Sequence, residues 1–120
     1  MSVIDPKHLC QALRWSLQGL GHAFKTQVAF RMDTVGVIAV VIALCVIRPG
    51  VFWSAVLVGA ALLVPLVELL NSAVEEICDL ITKERNDHIK HAKDMGSAAV
   101  FLAVLINGAL WAGMLWDRFS

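Results

Sequence analysis

Glu68, Asn71 and Glu75 recur along one line of the stretch Glu68–Leu69–Leu70–Asn71–Ser72–Ala73–Val74–Glu75–Glu76. On a helix turning about 100° per residue, Glu68 and Glu75 fall within about 20° of each other, with Asn71 between them. The helical rise sets the two carboxylates roughly 10 Å apart on that face. At that distance they cannot share one proton as a dyad. They can serve two ends of one reaction, a base at the level of the membrane and a metal ligand at the level of water. Glu68 is followed by Leu69 and Leu70 at the end of the apolar run Val51–Leu70, so it lies inside the apolar segment and not in a loop. A carboxylate at membrane depth is expensive unless it has a partner and a purpose, so it is read first as functional. The alternative is a buried, protonated or hydrogen-bonded Glu that fixes helix packing, a reading that Asn71 and Glu75 on the same face weaken.

The elements that must hold these residues follow from composition. The chain has 120 residues, of which 58% are hydrophobic, and its mean hydropathy is +0.72. A water-soluble domain of this size would expose too much apolar surface. Three runs approach the length of about 20 apolar residues that crosses a bilayer. They are Met32–Ile47, interrupted near its start by Asp33, then Val51–Leu70, and Ser97–Trp116 with Asn107 as its main polar interruption. Residues 1–30 carry charges throughout and lack a continuous apolar core, so no signal peptide is read there. The expectation is a single all-α membrane domain over residues 1–120, too short for a second folded unit.

Charge sets the expected orientation. Lys7, Arg14, Lys25 and Arg31 precede the first span, and Lys83, Arg85, Lys90 and Lys93 lie between the second and third. Only Arg48 and Arg118 fall on the opposite side. The N-terminus and the long connection are therefore expected in the cytoplasm. The net charge is zero, so no global field points to nucleic acid.

Pro6 opens a predicted helix over about residues 6–26. Leu9, Leu13, Leu20 and Phe24 recur near helical spacing among Arg14, Gln18, His22 and Lys25. That pattern fits an amphipathic helix on the cytoplasmic leaflet, or one packed on the cytoplasmic connection, and both can hold together. The charged stretch Glu75–Asp94 reads as helix at both ends with a break near Asn86–Asp87, and the third helix is expected to begin near Lys90. Gly59, Ala60, Ala61, Ser72 and Ala73 permit close helix contact. Three spans are few to enclose several polar groups, so a homo-oligomer is expected.

Other candidate chemistry is sparser. No Gly precedes a Lys, so there is no phosphate-cradling loop of the Walker type, and Gly19–Leu20–Gly21 follows no strand. A nucleotide site must then be built from side chains and helix ends. Lys93 and Asp94, beside Gly96 and Ser97, can supply a phosphate-binding cation and an anionic partner, or serve as an interface-anchoring pair. Glu84, His88 and His91 have a spacing that one helix could offer to a metal, and they are equally at home in a solvated connection. Asn107 reads as an interhelical hydrogen-bonding residue. Trp53, Trp111 and Trp116 read as interfacial anchors. Cys10, Cys45 and Cys78 are scattered and odd in number, and all three read as packing residues.

Two longer motifs, Glu68–Leu69–Leu70–Asn71–Ser72–Ala73–Val74–Glu75 and Ala92–Lys93–Asp94–Met95–Gly96–Ser97–Ala98–Ala99–Val100, closely resemble the small integral-membrane diacylglycerol kinases of bacteria. The resemblance includes Leu17–Gln18–Gly19–Leu20 and Ala29–Phe30–Arg31 and covers most of the chain. The same family contains undecaprenol kinases of Gram-positive bacteria, and the wording Asp94–Met95–Gly96–Ser97–Ala98–Ala99 looks more like the Gram-negative diacylglycerol branch.

The resemblance implies a homotrimer of three-span subunits with an N-terminal surface helix and active sites shared between neighbours. It implies Glu68 as general base on the lipid hydroxyl, with Asn71 supporting the reacting centre. It implies Glu75 on the Mg²⁺ of Mg–ATP, Lys93, Asp94 and Glu84 at the nucleotide, and Ser97 near the acceptor. Arg85 and Asn86 stand where the family often has an aromatic residue and a His. The second metal-binding Glu of the family is replaced here by Gln27, whose neutral amide oxygen offers Mg²⁺ less charge compensation.

The reading is therefore an ATP-dependent lipid kinase making phosphatidic acid from diacylglycerol at the cytoplasmic face of the bacterial inner membrane. Within that class the alternative acceptor is undecaprenol or another lipid alcohol. Outside it, the alternative is a small transporter or channel subunit that uses Glu68 as an ion site.

Overall fold

A computed structural model describes residues 5–120 as four helices: α1 Pro6–Thr26, α2 Val28–Ile47, α3 Val51–Ile81 and α4 Asp87–Phe119. Each boundary has a local cause. Asp5 caps α1 by accepting the Lys7 N–H at 3.1 Å, and Pro6 occupies the first turn, where its missing N–H costs nothing. Gln27 is extended (φ −113, ψ 109) and separates α1 from α2. Arg31 closes this joint from the far side. Its guanidinium donates to the carbonyls of Phe24 at 2.8 Å and Lys25 at 3.1 Å, in the last turn of α1, where carbonyls lack helical donors.

Between α2 and α3 the chain reverses over Arg48–Pro49–Gly50. Arg48 is left-handed (φ 53), Pro49 cannot continue a helix, and Gly50 has φ 104, a value open to a residue without Cβ. Between α3 and α4 lies a short connection, residues 82–86, in which the Thr82 hydroxyl oxygen accepts the Glu84 N–H at 3.0 Å. Asn86 then caps α4 by accepting from His88 N–H at 2.9 Å and Ile89 N–H at 3.3 Å. This cap starts α4 at Asp87, one turn earlier than the apolar pattern predicts, because a cap is chosen by a side-chain oxygen and not by hydropathy.

α3 is the central helix and packs against both α4 and α2, while α1 packs against α2. Ala60, Ala61 and Ala103 are buried where the helices meet, which lets backbones approach closely. Toward the Arg48–Gly50 end, Leu44, Leu57 and Met114 form the core, flanked by Val40, Leu110 and Trp111. The Trp53 indole N–H donates to an Asp117 carboxylate oxygen at 2.9 Å and ties the start of α3 to the end of α4.

Pro65 lies inside α3 and has no N–H for the Ala61 carbonyl. Asn107 of α4 supplies a donor at this level. Its amide Nδ2 gives hydrogen bonds to the Ala60 carbonyl at 2.7 Å and to the Ala103 carbonyl at 2.9 Å. That is the interhelical role expected of it, one residue before the Ala61 carbonyl that Pro65 leaves without a helical donor.

Helices α2, α3 and α4 are each long and apolar enough to cross a membrane. Their outer faces are apolar: Val46 is 77% exposed, Val51 89% and Trp116 77%. Such faces need hydrocarbon or another protein surface as their solvent. Of the cysteines only Cys78 is buried. Cys10 and Cys45 are exposed, so the packing role expected of all three holds for one.

Candidate active site

Helix α3 carries Glu68, Asn71 and Glu75. Asn71 is buried, and both glutamates are half-buried. The polar groups that act on Glu68 are Asn71 and Glu75 from its own helix and Asp33 from α2. Asp33 is half-buried, and its Oδ2 is enclosed with no hydrogen-bond partner among the described residues. It lines a cavity of about 190 Å³ with Gly36, Ala61, Val64 and Asn107 among its neighbours. Asn71 Oδ1 is likewise buried and unpaired, turned toward Gly96 of α4.

On the water side, two ion pairs organise the start of α4. Lys93 Nζ lies 3.0 Å from an Asp79 carboxylate oxygen on α3, and Lys90 Nζ lies 2.7 Å from Asp94 Oδ2 one turn along α4. The hydrogen bond and charge of Asp79, with Cys78 and Glu75 behind it, hold the Lys93 ammonium above the usual lysine range. The Lys90 hydrogen bond and charge hold the Asp94 carboxyl below the usual carboxylate range. Exposed pairs of this kind add little stability, so their importance lies in where they put charge. Lys93 and Asp94, adjacent on α4, are paired not with each other but with Asp79 and Lys90.

The structure thus gathers Glu68, Asn71 and Glu75 on one side of α3 and brings Lys93 to the same helix through Asp79. Ser97 is exposed one residue beyond Gly96, and Glu84 is exposed in the connection. Gln27 is half-buried at the α1–α2 joint, and its side chain makes no capping bond. Among the described residues, no hydrogen bond or ion pair links Ser97, Glu84 or Gln27 to the α3 line. Glu84 precedes α4, so it does not share a helix with His88 and His91. Among the described residues, no three His, Cys, Asp or Glu side chains converge to hold a metal ion. A site on Glu75 would need its remaining ligands from elsewhere. Mg²⁺ commonly meets that need with water and substrate phosphate oxygens.

Two residues of this neighbourhood escape a reading centred on Glu68. Asp33 is the only charged residue between Arg31 and Arg48, so it carries the same signal as Glu68, a lone carboxylate in an apolar run. Asp79 lies eleven positions after Glu68 and falls within about 20° of it, so it extends the same helical line toward water. Chemically, the arrangement offers a proton acceptor at lipid depth and positive charge toward the aqueous end. It suits a reaction between a group held in the leaflet and a soluble polyanion.

Comparison with known proteins gives one consistent result. A family model described as prokaryotic diacylglycerol kinase matches residues 14–115. The chain is 39% identical over 116 residues to a diacylglycerol kinase of Haemophilus influenzae, a match that covers 91% of this chain and 92% of the relative. It is 35% identical over 112 residues to the diacylglycerol kinase of Escherichia coli strain K12, covering 93% and 92% of the two chains. It is 39% identical over 112 residues to that of Pseudomonas aeruginosa, covering 91% and 89%.

Proposed function

The chain belongs to the prokaryotic diacylglycerol kinase family, and from that membership we propose that it transfers the γ-phosphoryl group of ATP to the free hydroxyl of diacylglycerol. The products are phosphatidic acid and ADP. The single observation that carries the assignment of roles is the α3 line, with Glu68 at lipid depth, Asn71 buried beside it and Glu75 nearer water.

In this mechanism diacylglycerol lies in the leaflet with its hydroxyl at Glu68. The Glu68 carboxylate accepts the hydroxyl proton as the oxygen attacks the γ-phosphorus and the bond to the ADP oxygen breaks. Asn71 steadies Glu68 and the reacting centre. Lys93 offsets charge on the phosphates, with Asp94 and Glu84 at the nucleotide and Ser97 near the acceptor. Glu75 enters neither ion pair of the described chain, so its carboxylate is free for a cation. Glu75, with Gln27 as a neutral second ligand, would hold Mg²⁺, which supplies charge compensation on the phosphate oxygens when bound. Phosphoryl transfer asks little covalent chemistry of a protein, so positioning and electrostatics carry most of the catalysis.

The same reading places the chain in the bacterial inner membrane as one domain, with its N-terminus and active site cytoplasmic and α1 lying on the leaflet. The Lys and Arg distribution supports that orientation. It also makes the assembly a homotrimer. The apolar outer faces and the Asp33 cavity, open in a single copy, support association.

The test is purified protein in mixed micelles with labelled ATP and separate arms of diacylglycerol, monoacylglycerol, ceramide and undecaprenol. Label should enter diacylglycerol fastest. Preferential labelling of undecaprenol would move the protein to the isoprenoid-alcohol branch. No lipid-dependent ATP turnover in any arm would favour a non-catalytic ion site at Glu68.

A further inference from the structure

We propose that Gly96 is a positioning residue for the reacting centre: the side chain missing at this position is the slot that receives the Asn71 amide and sets the direction in which that amide faces Glu68. The proposal rests on the reading that Asn71 supports catalysis.

Gly96 differs from the other helical glycines. A Cβ built on Gly19, Gly21, Gly36, Gly59 or Gly108 would meet open space, and one on Gly113 would touch the Trp53 ring at an ordinary 3.5 Å. At Gly96 the same atom would overlap Asn71 Oδ1 and stand 3.2 Å from Asn71 Cγ, but 3.8 Å from Asn71 Cα. The conflict is therefore with the tip of one side chain. The backbones of α3 and α4 already stand at ordinary contact distance and need not separate to admit a methyl group.

The amide has little choice of where to go. Asn71 is only 8% exposed. Its Oδ1 fills the slot over Gly96 and has no hydrogen-bond partner among the described residues. Leaving a buried acceptor unpaired is unfavourable, so the orientation is not explained by what Oδ1 gains. It is explained by the other end. The two polar atoms of an amide lie on opposite sides of its carbon, and only Nδ2 can donate to a carboxylate. With Oδ1 in the slot, Nδ2 is turned away from α4, and the carboxylate on which the Asn71 amide acts is Glu68, one turn back on the same helix. Gly96 thus acts on the base through Asn71. A methyl group at 96 would push the amide off this orientation while leaving the helix pair intact, and Ala is a better helix former than Gly.

The experiment compares Gly96→Ala, Asn71→Ala and the double variant, purified in mixed micelles. Kinetics are measured with ATP and diacylglycerol varied separately, alongside thermal unfolding and oligomer size. Gly96→Ala should lower kcat by about 10²-fold, the scale of loss from an ångström-sized misplacement. Both KM values, the melting curve and the oligomer should stay near wild type. In the Asn71→Ala background the same change should cost less than about twofold, since residues acting as one unit are not additive. Wild-type kcat in Gly96→Ala, or its full loss again on top of Asn71→Ala, would overturn the proposal. If Asn71→Ala itself keeps wild-type kcat, the catalytic reading of Asn71 falls and this inference with it. If Asn71→Ala is impaired and Gly96→Ala is not, only the inference falls. Should Gly96→Ala fail to assemble, the double variant must assemble, because the clash is gone. Failure of both would show that Gly96 accommodates something other than the amide.

Discussion

Replacing Glu68 by Gln keeps the length and planarity of the side chain and removes its capacity to take a proton. General-base catalysis contributes about 10²–10⁴ in rate, and the lower end corresponds to about 2.7 kcal/mol of barrier. The structure narrows where the loss should fall. Glu75, two turns along α3 and roughly 10 Å away, cannot reach a hydroxyl placed at Glu68. Asp33 is the other carboxylate that acts on Glu68, but its Oδ2 is enclosed and it projects from α2. Glu68→Gln should therefore lose at least about 10²-fold in kcat. What remains should fall further in Glu68→Gln/Asp33→Asn if Asp33 serves as a poor substitute. The assay is steady-state transfer of labelled phosphate to diacylglycerol in mixed micelles, with oligomer size measured on the same samples. A correctly assembled Glu68→Gln protein whose kcat stays within about tenfold of wild type, below the usual general-base contribution, would make Glu68 a packing residue and refute the mechanism.

Lys93→Ala should raise the KM for ATP, lower kcat, or both, and leave the KM for lipid unchanged; an effect confined to the lipid parameter would place Lys93 at the leaflet surface. Asp79→Asn should shift the alkaline limb of the KM(ATP) profile to lower pH. The Asp79 carboxylate holds the Lys93 ammonium charged to higher pH, and without it the charge is lost sooner. An unmoved limb would show that another group sets it. Gln27→Glu should lower the Mg²⁺ needed for half-maximal activity, and Glu75→Gln should raise it sharply, in titrations at saturating ATP and lipid; an unchanged midpoint in Gln27→Glu would remove position 27 from the metal. Asn107→Leu should cost about 1 kcal/mol in reversible unfolding from micelles, the scale of one interhelical hydrogen bond in a membrane, and an unfolding curve like wild type would show that the Ala60 contact contributes nothing net.

Much of the α3 line is legible in the sequence because it depends on covalent geometry alone. Any helix through Val51–Ile81 must carry Glu68, Asn71, Glu75 and Asp79 on one side. Asn107 is legible for a related reason, since an amide in hydrocarbon must find an acceptor and a neighbouring helix is where acceptors are. The relations between helices are not legible. Which carboxylate Lys93 meets depends on how α4 crosses α3, and the capping of α1 by Arg31 depends on the angle at Gln27. The slot at Gly96 exists only because Asn71 arrives opposite it.

One consequence of the crossing bears on the reaction itself. Asp79 lies roughly 16 Å from Glu68 along the α3 axis, and Lys93 Nζ is 3.0 Å from Asp79 in the free chain. While that pair persists, the ammonium cannot also touch a phosphorus under attack beside Glu68. Either the nucleotide draws Lys93 away from Asp79, or Lys93 meets phosphates on the water side of the group being transferred. Exposure of both partners keeps the pair weak enough to exchange. Its placement favours the second arrangement, in which, on the proposed mechanism, Lys93 would stabilise charge on the departing ADP while Glu68 would handle the proton at the other end of the same helical line.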